Sequence, residues 1–131
     1  MFLEFLNRHE KENFLDLAYY VAHCDSDFAS AEKKWIRTYR NEMNLNNHEV
    51  KNRDLDTIIE DFSDSSFLSK TSILLEIMDL ILSDYNYDGN EQKVVQKLRE
   101  SWKINNEQFE SIVFWLKDKH LIFQKEKEKI I

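Results

Sequence analysis

The chain is 131 residues long, 42% apolar and 33% charged, with one glycine, no proline and a formal net charge of −7. That balance fits one soluble globular domain with a real core rather than a disordered chain, and so few turn residues exclude an all-β fold. The acidic surplus argues against nucleic acid, whose phosphates need a basic face, and leaves cations or basic proteins as fitting partners.

Met1 to Leu6 lacks the basic lead and long apolar run of a secretory signal, and a cytoplasmic protein is expected. Asn7 with Glu10 has the spacing of a capping box, in which each side chain bonds the other's backbone amide. Phe14, Leu17, Ala18, Val21 and Ala22 then recur at the spacing of one helix face. Cys24 is the sole cysteine, which excludes an intrachain disulfide and a zinc-thiolate cluster and suits a reducing compartment. Trp35, Ile36, Tyr39 and Met43 form the next apolar stripe. Asn46-x-x-Glu49 supplies a further capping signal for a helix that carries Val50, Leu55, Ile58, Ile59 and Phe62.

Ser63 to Ser66 reads as the linker between two halves. Beyond it, Leu74, Ile77, Met78 and Ile81 lie on a helix that is apolar on nearly every side from Ile73 to Leu82, the pattern of a central helix. Glu76 and Asp79 interrupt that stretch, which is too short to cross a bilayer, so no transmembrane segment is expected. Val94, Val95, Leu98 and Trp102 follow. Asn105-x-x-Gln108 caps a last helix bearing Phe109, Ile112, Val113 and Leu116. Phe114-Trp115 and Leu121-Ile122-Phe123 cannot all face one core, so this segment is either covered on several sides or offered to a partner. The Lys125 to Lys129 run reads as a solvated helix end.

The two halves repeat a pattern. Asp25 to Glu32 and Asp84 to Glu91 both read Asp-x6-Glu with an aromatic three residues after the Asp, offset by 59 positions (25 to 84, 32 to 91). Without a gap, Asp25/Asp84, Glu32/Glu91, Lys34/Lys93, Arg40/Arg99, Asn46/Asn105 and Asn47/Asn106 are identical. Apolar positions coincide as well, among them Ile36/Val95, Tyr39/Leu98, Leu45/Ile104 and Val50/Phe109. The expected architecture is all-α: a single compact bundle of about seven helices over residues 1–131, built from two pseudo-symmetric helical hairpins. The first spans about 14–62, the linker about 63–66 and the second about 67–124.

Asp84-x-Asn86-x-Asp88-Gly89 opens like a calcium-binding EF-hand loop, but the twelfth position, where a bidentate Glu is needed, is Val95. The first copy has no glycine and no oxygen ligand at Ala29. An EF-hand is therefore excluded. Capping is the preferred role of these acids: Asp88 before the following helix with Glu91 three residues on, and in the first copy Ser30 in place of Ala29. The sharper alternative is a divalent cation site gathering Asp25, Asp27, Glu32, Asp84, Asp88 and Glu91, oxygen ligands that calcium or magnesium favours. No cofactor is implied. His23 and Cys24 are adjacent on the chain and point in different directions, so they make a poor nucleophile pair, and His9, His48 and His120 show no ligand spacing.

The apolar helix ending in Ala22-His-Cys-Asp25, the turn to Glu32, and the matching Ser83-Asp84 to Glu91 resemble the TerB-like domain of tellurite-resistance proteins. The N-terminal part of a DnaJ-type membrane co-chaperone is similar. The resemblance spans roughly residues 14 to 116, with Ser26 and Tyr85 standing where that family usually has glycine. It implies a helical bundle without established catalysis, a role in stress response or membrane-associated complexes, and metal binding at Asp25, Glu32, Asp84 and Glu91. The expected function is a non-enzymatic interaction module whose acidic turns face a protein partner or a cation. The alternatives are a divalent-metal-dependent hydrolase and an orphan structural protein that shares only the fold. No nucleophile elbow, Gly-rich phosphate loop or His-carboxylate cluster accompanies the acids to favour the hydrolase.

Overall fold

The computed structural model describes residues 3–4, 6–23, 29–45, 48–83 and 89–116. Helices α1 (Arg8–His23), α2 (Ala29–Glu42), α3 (Leu55–Asp61), α4 (Phe67–Ser83) and α5 (Gly89–Ser101) are followed by α6, residues 106–116. The described residues thus hold six helices and no strand, an all-α fold. Helix α1 packs on α2 and α3, and α5 packs on α4 and α3.

Local chemistry sets where several of these helices start. At α1, the Asn7 amide donates to Glu10 Oε1 at 3.1 Å and the Glu10 amide to Asn7 Oδ1 at 2.8 Å, so the expected capping box forms. The same reciprocal pair opens α6, Asn105 N to Gln108 Oε1 at 3.0 Å and Gln108 N to Asn105 Oδ1 at 2.8 Å. Ser66 starts α4 by accepting the Ser69 amide at 3.1 Å.

Two expected starts are corrected. Residues 48–54 are not helical, so Glu49 takes no part in a helix cap. Helix α3 begins only at Leu55, where Asp54 in extended backbone (φ −71°, ψ 158°) accepts the Thr57 amide at 2.7 Å. The hydrogen bonds from Thr57 hold the Asp54 carboxyl below its ordinary pKa. Helix α2 begins at Ala29, which places Ser30 inside the helix rather than at its cap.

The core runs through every helix. Helix α4 buries Ser72, Ile73, Leu74, Glu76, Ile77, Met78, Leu80 and Ile81, more than half of its circumference. Phe14 meets Tyr39 edge-to-face at 5.0 Å and joins α1 to α2; Phe62 meets Trp102 at 5.7 Å and joins the end of α3 to the end of α5. Val95, the residue that ruled out a calcium loop, lies in this core.

Helices α2 and α5 end alike. Leu45 N donates to Arg40 O at 2.8 Å and Asn44 N to Asn41 O at 3.3 Å, with Asn44 at φ 57°. Ile104 N donates to Arg99 O at 2.9 Å and Lys103 N to Glu100 O at 3.4 Å, with Lys103 at φ 55°. Both are Schellman closures, with a left-handed residue that lets the chain turn and return its amides to the last carbonyls. The residue after each, Leu45 or Ile104, is buried and anchors the turn in the core.

Candidate functional site

Asp25, Asp27, Asp84 and Asp88 lie outside the described residues, as do the side chains of Glu32 and Glu91, whose backbones belong to α2 and α5. The described helices fix what flanks them. The first acidic segment joins the end of α1 at His23 to the start of α2 at Ala29, and the second joins the end of α4 at Ser83 to the start of α5 at Gly89. Each segment therefore follows a helix C-terminus, which carries partial negative charge, and precedes an N-terminus, which carries partial positive charge. A carboxylate is favoured at a helix N-terminus and disfavoured at a C-terminus.

The polar cluster that the described residues do hold was not foreseen. Asp16 is buried on α1, and its carboxylate is the convergence point of residues 48–54. Oδ1 accepts the Lys51 amide at 3.0 Å and stands 3.5 Å from His48 Nε2; Oδ2 lies 3.0 Å from Arg53 Nη2. Arg53 also donates to Asn13 Oδ1 and pairs with Asp61, while Asn13 Nδ2 donates to the Ile58 carbonyl at 3.2 Å. Both Asn13 and Asp16 are at most 3% exposed, and a buried carboxylate is tolerated only when it is paired and hydrogen-bonded. The cluster supplies those partners.

A cleft of about 180 Å³ opens beside this cluster, with His9 and Glu12 completing its wall. The His48–Asp16 pair has the look of a base and its orienting acid. Asp16, however, already serves a backbone amide and a guanidinium, so its geometry explains why residues 48–54 lie where they do. Among the described residues, no three His, Cys, Asp or Glu side chains stand together so as to hold a metal ion. The sequence did carry a signal for this cluster: Asn13 and Asp16 flank Phe14 and Leu17 on α1, polar residues at the margin of the apolar stripe. Their partners lie more than 30 residues away, where no local pattern reaches.

A second buried acid stands on the central helix. Glu76 accepts the Tyr39 hydroxyl, which ties α2 to α4. Burial first, then the charges of Glu76 and Asp79, holds the Tyr39 phenol far above its ordinary pKa, so it stays neutral and remains the donor.

A cleft of about 430 Å³ runs between α5 and α6 and is lined by Gln92, Gln96, Arg99, Glu100, Asn106 and Phe109 over Val95 and Ile104. Arg99 lies 4.0 Å over the Phe109 ring and donates to Asn106 Oδ1 at 2.6 Å, so it joins the two helices across that cleft. On α6, Phe114 is 76% and Trp115 45% exposed, while Leu121, Ile122 and Phe123 of the same segment lie outside the described residues. No helix of the described residues is long and apolar enough to cross a membrane. No family model, no curated protein and no solved structure matches the chain.

Proposed function

We propose that this chain is a non-enzymatic interaction module of the TerB-like kind, made from two copies of one helical hairpin, with its acid-bearing segments forming the face that a partner meets. The observation that carries the reading is the matched ending of α2 and α5. Both the left-handed residue and the two closing hydrogen bonds recur at the 59-position offset that relates Asp25 to Asp84 and Glu32 to Glu91. A duplicated closure supports a duplicated hairpin, and the segment common to both hairpins is the acidic one. The non-enzymatic part draws support from how the buried polar groups are used. Asp16, Arg53 and Asn13 are engaged with one another and with backbone groups, and Glu76 accepts from Tyr39.

The net charge of −7 favours a basic protein partner in the cytoplasm, with a divalent cation as the other occupant of the same acids. A stress-response setting follows from the resemblance alone. Thermal-shift titration with calcium and with magnesium separates the two occupants. A rise in Tm for the wild type that disappears in Asp84→Ala supports the cation, and no rise in either protein leaves the protein partner. For that partner, affinity capture is compared between the wild type and Asp25→Asn/Asp84→Asn. Loss of specific partners in the double variant is the expected result, and an unchanged set contradicts the acidic face.

A further inference from the structure

We draw no further inference here: the strongest candidate, the cleft of about 430 Å³ between α5 and α6, is walled by side chains that already hold those two helices together, Arg99 on Phe109 and Asn106, and nothing in the structure shows what covers it.

Discussion

Residues 40–54 and residues 99–113 start from the same geometry and reach different ends. Each begins with an arginine two residues before a helix's last position, and each closes through a left-handed residue onto a buried aliphatic one. After Ile104 the chain enters a new helix within two residues, because Asn105 and Gln108 cap each other. After Leu45 the described residues 48–54 are not helical and the next helix starts at Leu55. The difference is set at a distance: Asp16 takes the Lys51 amide and the Arg53 guanidinium, and a backbone amide bonded to a buried carboxylate is withdrawn from a helix ladder. The equivalent position in the second half is Leu75, which offers no such acceptor. A buried acid thus engages the segment of the first half and has no counterpart in the second.

The strongest way to break this contrast is Asp16→Ala, which leaves the Arg53 charge and the Lys51 amide without their buried partner. A loss of about 3–5 kcal/mol in urea unfolding is expected, the usual consequence of removing one member of a buried pair. Replacing Asp16 and Arg53 together by leucine recovers much of that loss, because no lone charge is then left behind. A double variant as unstable as Asp16→Ala would show that packing, not pairing, sets the effect.

Next in size is Tyr39→Phe, whose counterpart in the second half is Leu98, so the hydroxyl belongs to the first half alone. Loss of the bond to Glu76 destabilises by about 1–2 kcal/mol at neutral pH. The folded state keeps the Tyr39 proton at pH values where the unfolded chain releases it, near 10. This contribution to stability is therefore complete below pH 10 and declines as pH rises beyond it. Unfolding measured from pH 8 to 11 should show that decline in the wild type and a weaker one in the variant.

Smaller effects probe the starts and ends of the helices. Asn105→Ala removes one arm of the α6 cap and should cost about 1 kcal/mol, while Glu49→Ala, at the counterpart of that cap's other arm, Gln108, should change stability by less than about 0.5 kcal/mol. Equal losses at the two sites would mean that the halves differ less than their backbones indicate. Smallest is the repair of the left-handed positions. Lys103→Gly relieves a strained φ and should stabilise by about 0.5–1 kcal/mol, whereas Asn44→Gly should gain only a few tenths, since asparagine tolerates that conformation.

What the sequence made legible follows the range of the interactions involved. The caps at Asn7 and Asn105 rest on bonds that span three residues, and spacing alone identifies them. The deep burial of α4 was legible because apolar residues on nearly every side leave little face for water. The non-helical course of residues 48–54 was not, since the same Asn-x-x-Glu/Gln signal occurs in both halves and the bond that Lys51 makes is to Asp16, 35 positions earlier. For the site, the spacing of the acids was readable and their flanking helices follow it, while the acidic side chains themselves lie outside the described residues. The polar cluster at Asp16 escaped because a lone aspartate beside an apolar stripe looks like a surface residue until its distant partners are known.

Amide hydrogen exchange at Lys51, compared between the wild type and Asp16→Leu, tests most directly the claim that Asp16 holds residues 48–54 in place. The Lys51 amide is expected to be protected in the wild type and to exchange freely in the variant, while the amides of α4 keep their protection. Unchanged protection of Lys51 in a folded Asp16→Leu protein would contradict it.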